Sequence, residues 1–440
     1  MINLISGRYG TCDGISRRSF IRVGCLGLAG LNLADVLRMR ARAGVSKSTR
    51  EDAAVIQIFL GGGPSHIDTF DPKPSAPTEF RGAFRAIGTE VPGVIVSELF
   101  PQLAKNLDKV SIIRSLRHTT ADHGSGSHWV MTGYPAPQGI LRTNARPSTG
   151  SIAAKLHGGR ESGIPAYITL PDDPPFSNAA YLGPGYNPFT LKGDPTKTLR
   201  VRDLDPAPGI SLSRLDDRRR LLRELDAIDR SRDADGTLEG IDEFYAQAYQ
   251  LTTNTNARKA FDLTSEPSKI RNRYGKTRVG QSCLLARRLI EAGAKFVTVA
   301  DGGWDHHDNI SKQCRIQAPP LDAALAALVA DLDERGLSNR VLVVVWGEFG
   351  RTPRVNRSAG RDHWPGAMSA IVAGGGLKTG VVVGSTGSKG EYPVERPLGP
   401  EDVIQTMYHV LGINPNHEFI DDSGRPVRIL NQGSPIAELI

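Results

Sequence analysis

Six short runs of apolar, mostly β-branched residues recur along this chain: AVIQIFL (54–60), KVSIIRS (109–115), AYITL (166–170), KFVTVA (295–300), RVLVVVWG (340–347) and SAIVAG (369–374). A strand with one wet face alternates polar and apolar residues. A run that is apolar on both faces needs cover on both, the condition of a strand inside a parallel sheet. Between the runs, GQSCLLARRLIEAG (280–293) and LDAALAALVADLDERG (321–336) show helical spacing and end in glycine, and Pro400 opens a third helical pattern. Strands that alternate with helices predict an α/β fold: a doubly wound, mostly parallel sheet with helices on both faces.

Residues 171–265 break the pattern. They open as a Pro/Gly-rich loop, PDDPPFSNAAYLGPGYNPF, and continue as a highly charged helix, SRLDDRRRLLRELDAIDRSRDADG. This stretch reads as a cap of loops and helices inserted into one α/β domain spanning 44–440.

The first 43 residues read as a signal segment. Arg17-Arg18 precede Ser19, Phe20 and a weakly apolar stretch rich in Gly, Ala and Leu, and ARA at 41–43 offers small residues for cleavage. That is the layout of a twin-arginine export signal. The apolar stretch, interrupted by Asn32 and Asp35, is too short to span a bilayer. Expected are the twin-arginine export machinery as a partner and a periplasmic or secreted location.

The leader also explains the charge. The chain carries +7, but residues 1–50 hold nine Lys/Arg against two Asp/Glu, and the remaining 390 residues hold 45 of each sign. A balanced body gives no reason to expect a nucleic-acid partner. Of the four cysteines, Cys12 and Cys25 belong to the leader. Cys283 and Cys314 remain, and whether they pair is open.

Chemistry gathers in the loops after the apolar runs. GGGPSHIDTFD (61–71) follows the first and supplies His66, Asp68 and Asp71; LRHTTADHGSGSHWVMTG (116–133) follows the second, with His123 and Ser125. DGGWDHHDN (301–309) follows the fourth, and EFGRTPRVN (348–356) with GRDHWPG (360–366) follows the fifth. In open α/β sheets ligands bind beyond the carboxyl ends of the strands. Imidazoles and carboxylates together suit zinc, manganese or iron better than calcium. His66 and Asp68 read either as a wall of a metal site or as turn residues. GSGS (124–127) reads either as a flexible loop or as backbone that approaches an anion. Glu348, after a very apolar strand, needs a cation or a salt bridge to Arg351.

GGGPSHIDTFDPKP, HGSGSHWVMTGYP, RYGKTRVGQSCLLARRLIEAG, GGWDHHDN, WGEFGRTPRVN and GRDHWPGAMSAIVAGGG together resemble a family of exported bacterial proteins with a twin-arginine leader, grouped with the alkaline phosphatase/sulfatase-like superfamily. The resemblance implies a divalent metal (zinc, manganese, iron or calcium) held by Asp68, Asp305, His307, Glu348 and His363, with Asp301 as an alternative to one of the Asp305–His307 pair; His66, on the same loop as Asp68, is counted with the metal ligands. Phe349 stands where the superfamily has the histidine of Asp-His-Gly. His123 stands where it has the nucleophile, so His123, neighbouring Ser125 or neither carries the covalent step; Arg351 would clamp a substrate oxygen. The implied activity is that of a metal-dependent hydrolase or transferase of phosphate or sulfate esters, small-molecule or glycan. The alternative is a non-catalytic relative that binds sulfated or phosphorylated glycans, with Trp129, Trp304 and Trp364 stacking on sugar rings. A metal-stabilised scaffold is a third reading.

Overall fold

The computed structural model describes residues 52–440 apart from 138–142, 159–162 and 198–254, where only 214 and 217 are described. The leader and the centre of the stretch read as a cap lie outside the described residues.

Eight strands form the central sheet: β1 (Ala54–Gly61), β2 (Val110–Leu116), β3 (Tyr167–Leu170), β4 (Phe189–Thr190), β5 (Phe296–Gly302), β6 (Val341–Trp346), β7 (Met368–Gly374) and β8 (Val382–Val383). Their order is β8-β2-β7-β6-β1-β5-β3-β4. All six apolar runs are strands of this sheet. Seven strands run in one direction, and β7 runs against both its neighbours, β2 and β6. The fold is therefore α/β with a mixed, mostly parallel sheet. Phe189–Thr190, inside the stretch read as a cap, adds the edge strand β4 beside Ile168–Thr169.

The alternation of β1 shows why the sheet is covered twice. Ala54, Ile56, Ile58 and Leu60 belong to one buried cluster, together with residues of α3 (Arg278–Glu291) and α4 (Ile310–Glu334). Val55 and Phe59 belong to another, with residues of α1 (His123–Thr132), α2 (Thr149–His157) and α5 (Pro400–Leu411). Side chains of a strand point alternately to opposite faces, so apolar residues on both faces require helices on both sides; buried Gln57, the polar exception, donates to Met131 Sδ at 3.3 Å. Each fully buried aliphatic here contributes about 1.5–3 kcal/mol; an ionised side chain at Ile58 would break the sheet.

α4 starts eleven residues before the helical pattern at Leu321. Pro319 and Pro320 lack the donors that a helix interior uses, and for that reason the sequence predicts a start after them. The helix runs through them because Ile310, Cys314, Ala318 and Leu321 form one buried stripe, four, four and three residues apart. Cys283 and Cys314 are buried and unpaired. Among the described residues, no helix is long and apolar enough to cross a membrane.

Register brings the reactive loops together. β1 aligns Gly61 with Gly302 of β5, and Phe59 with Trp346 of β6. The loops that follow these three strands therefore leave the sheet side by side, at the edge where β2 also ends, separated from β6 by β7. Because β7 is antiparallel, its beginning lies at this same edge, which adds the preceding segment 360–367 to the group.

Candidate metal centre

Two of the glycines after β1 are required by packing. Gly62 and Gly63 have φ of +113° and +78°, a region that side chains disfavour. A Cβ on Gly62 would lie 2.4 Å from the Asp305 backbone nitrogen, and one on Gly63 would lie 2.6 Å from the Phe349 ring. With no side chain in the way, the Gly62 N–H reaches the Glu348 carboxylate, at 2.9 and 3.2 Å from its two oxygens.

Glu348 in turn holds a histidine. Its Oε1 lies 2.6 Å from His123 Nδ1, so that nitrogen donates and Nε2 carries the lone pair. The two other histidines of the cluster are held alike. His307 Nδ1 donates to the Asp362 carboxylate at 2.9 Å, and His363 Nδ1 donates to the Ala121 carbonyl at 2.7 Å. All three imidazoles therefore direct Nε2 at one group, the Asp305 carboxylate. His307 Nε2 is 2.9 Å and His363 Nε2 3.2 Å from Asp305 Oδ1, and His123 Nε2 is 3.2 Å from Oδ2.

Lone pairs of neutral imidazoles and a carboxylate repel. His307 Nε2 and His363 Nε2 are themselves 3.0 Å apart. Such an arrangement calls for positive charge between the atoms, either protons or a cation. The spacing suits a cation: ligands at about 2.0–2.2 Å from a zinc-sized ion lie roughly 2.9–3.5 Å from one another. His123, Asp305 and His363 each offer one ligand atom within 4.8 Å of the others', with His307 beside them. Carboxylate or carbonyl partners on the far nitrogens of ligating histidines are the usual support of such sites. The donor set fits a divalent transition metal.

The electrostatics follow the same contacts. Its hydrogen bond to Glu348 raises the His123 pKa. Burial pushes the Asp305 carboxyl up, but the Arg351 guanidinium bonded to it outweighs this and holds it well below the usual carboxylate range. The His307 hydrogen bond lowers Asp362. Side-chain exposures of 39% for His123, 43% for Asp305, 45% for His307 and 21% for His363 leave the cluster open to solvent.

The remaining candidate residues stand as follows. Asp68 is buried and paired with Arg361, Nε to Oδ2 at 2.7 Å, with Ser65 Oγ at 2.6 Å. His66 is buried, and burial lowers its pKa; its Nε2–H donates to the Gly390 carbonyl at 2.7 Å and its Nδ1 has no partner. Asp71 is engaged by Lys73 at 2.9 Å and by the Thr386 hydroxyl. None of the three is hydrogen-bonded to the histidine cluster. Asp301 accepts from Trp304 Nε1 at 3.1 Å instead of joining Asp305.

Several expectations need correction. Arg351 does not pair with Glu348. It is fully buried, and its guanidinium donates to the carbonyls of Gly62, Gly63 and Arg361 and to Asp305, so it holds Asp305 and faces no open space. GSGS is no loop: it lies in α1, whose N-cap Asp122 accepts from the Ser125 N–H at 2.8 Å. Gly126 is buried there, and a Cβ on it would press on Glu348 and Phe349 at 3.2 Å. Trp304 is completely buried and has no face for a sugar. Phe349 packs against His123 and His363, at 5.1 and 4.6 Å between ring centroids, and so props two imidazoles from below.

The Asp362 buttress was readable as an acid next to His363, but not its partner. The Ala121 carbonyl carries no sequence signal at all.

A family profile described as a protein of unknown function, DUF1501, matches residues 52–440. The chain belongs to the DUF1501 family. No curated protein matches it significantly. Among solved structures this DUF1501 chain is similar to the PsFucS1 sulfatase from Pseudoalteromonas sp., at 13% identity and TM-score 0.35 over 84% of this chain and 70% of that one. It is similar to the phosphonate monoester hydrolase SpPMH from Silicibacter pomeroyi, at 10% identity and TM-score 0.37 over 83% and 74%. It is also similar to the alkaline phosphatase from the Antarctic bacterium TAB5, at 11% identity and TM-score 0.34 over 82% and 98%.

Proposed function

We propose that this DUF1501 protein is a metal-dependent hydrolase or transferase of phosphate or sulfate esters. The observation that carries the reading is the convergence of His123, His307 and His363 Nε2 on the Asp305 carboxylate, each imidazole fixed from behind. These four side chains would hold the cation, which when bound would offset negative charge on an ester oxygen.

The chain's own residues do the rest. Glu348, Asp362 and the Ala121 carbonyl fix the three tautomers, so each ring offers Nε2 and not Nδ1. Arg351 keeps Asp305 ionised and in place. Phe349 keeps the imidazoles from turning. Ser125, in the first turn of α1, is the hydroxyl proposed for attack; His123, with Nδ1 on Glu348 and Nε2 given to the cation, has no lone pair left to attack with. The protein is further proposed to be exported by the twin-arginine machinery to the periplasm or beyond, on the strength of Arg17-Arg18 and the basic leader.

A non-catalytic relative that binds phosphorylated or sulfated glycans is the second reading. Two residues favour it: His123 at the place of a hydroxyl or thiol nucleophile, and Phe349 at the place of a histidine.

Elemental analysis of the mature protein, purified without chelator, tests the metal. About one equivalent or more of zinc, manganese or iron per chain, lost in His363→Ala, is expected. Less than about a tenth of an equivalent, with no uptake on addition, would overturn the reading. Given metal, a screen of phosphate and sulfate esters separates enzyme from binder.

A further inference from the structure

Beside the histidine cluster lies a groove of about 510 Å³, within the usual size for small-molecule sites, roughly 300–1,000 Å³. Groove and cluster share their supports. His118, on the groove, has Nε2 2.6 Å from the backbone carbonyl of Glu348, whose side chain holds His123. Trp129, on the groove wall, lies six residues after His123 on α1, about 9 Å along the helix axis. On the other side Tyr392 packs on Trp364, the neighbour of His363, with ring centroids 5.2 Å apart.

The lining combines two chemistries. Tyr392 lines the groove and is 52% exposed. A Cβ on Gly366 would lie 2.8 Å from both the Trp364 and the Tyr392 rings, so the glycine is what lets Tyr392, on the groove, pack against Trp364 behind it. The same lining carries groups of opposite charge: exposed Arg117, and Glu401, which accepts from Trp129 Nε1 at 3.2 Å. A ligand that matches flat apolar faces together with both donors and acceptors, and no net charge, is a ring with C–H faces and hydroxyl edges.

We propose that this groove is a saccharide subsite. Resting on the reading of the cluster as an ester site, this makes the substrate a sugar carrying the phosphate or sulfate.

The test reads binding, so it does not depend on turnover. The purified mature protein, with its metal and after chelation, is titrated with a panel of neutral gluco-, xylo-, galacto- and chito-oligosaccharides by calorimetry and tryptophan fluorescence. At least one should bind in both states, and Tyr392→Ala should weaken it by about tenfold or more. Gly366→Val should do the same by forcing the two rings apart, and unchanged unfolding curves would show that both variants are folded. No binding across the panel, or affinity untouched in Tyr392→Ala, would overturn the subsite, and tight binding of a peptide or simple aryl compound in its place would do so too. Saccharide binding in a protein that takes up no metal would sink the ester chemistry while sustaining the subsite.

Discussion

The Glu348 carboxylate lies 2.6 Å from His123 Nδ1 and accepts the Gly62 N–H with both its oxygens. A buried acid thus ties the first loop, α1 and the strand β6 to one imidazole. If His123 is a ligand, Glu348→Ala should lower metal affinity about 10–100-fold, the usual effect of losing such a partner. Glu348→Gln, which keeps an acceptor but not the charge, should lose less. Competition with a fluorescent chelator measures both. Affinity unchanged in Glu348→Ala would remove His123 from the ligand set.

Gly62→Ala should unfold the site from the opposite side. The new Cβ meets the Asp305 nitrogen at 2.4 Å in a backbone region that side chains disfavour. We expect a loss of about 3 kcal/mol or more in urea unfolding, with loss of metal uptake. Gly88→Ala, where nothing lies within 4 Å of the new atom, should change stability by less than about 0.5 kcal/mol and serves as the control.

Asp68 separates two roles that sequence alone leaves merged. Its pair with Arg361 is buried, at 1% and 0% side-chain exposure. Asp68→Ala leaves a buried guanidinium uncompensated and should cost about 3–5 kcal/mol, whereas Asp68→Ala with Arg361→Met should recover a large part of that. Metal uptake should persist in the double variant if it folds. A stable Asp68→Ala protein that no longer takes up metal would make Asp68 a ligand instead.

Asp301 gives a pH signature. Its surroundings push its carboxyl up to about 6, chiefly by burial, against a usual value of 3.8. The protonated form therefore favours the fold: this stability is fully present below pH 3.8 and is lost as pH rises through 6. Asp301→Asn removes the loss and keeps an acceptor for Trp304. The variant should be more stable than the parent at pH 7.5 by about 1–2 kcal/mol, a figure trimmed for the residue's partial exposure, and equal to it at pH 3.5. Urea unfolding at the two pH values decides; a variant less stable at pH 7.5 would refute the assignment.

Much of the architecture was legible in the runs themselves. Six apolar segments gave six strands, because a strand apolar on both faces has no stable place except between two layers. The start of α4 was not legible: Pro319 and Pro320 argue locally against a helix that a continuous buried stripe supports from outside. The direction of β7 was not legible either, since SAIVAG reads the same in a parallel or an antiparallel place.

The sequence by itself determined which groups are available: His123, Asp305, His307 and His363 in segments that follow strands, beside Glu348 and Asp362. It determined that these segments would meet at one sheet edge, since parallel strands share their carboxyl ends. Only the tertiary structure decided which partner each side chain takes. Asp68 went to Arg361, Arg351 to Asp305, and three Nδ1 atoms to Glu348, Asp362 and the Ala121 carbonyl. The reason is range: strand and helix patterns are set by neighbours in the chain, whereas a hydrogen bond between residues 225 positions apart depends on distances fixed only when the sheet and its helices pack.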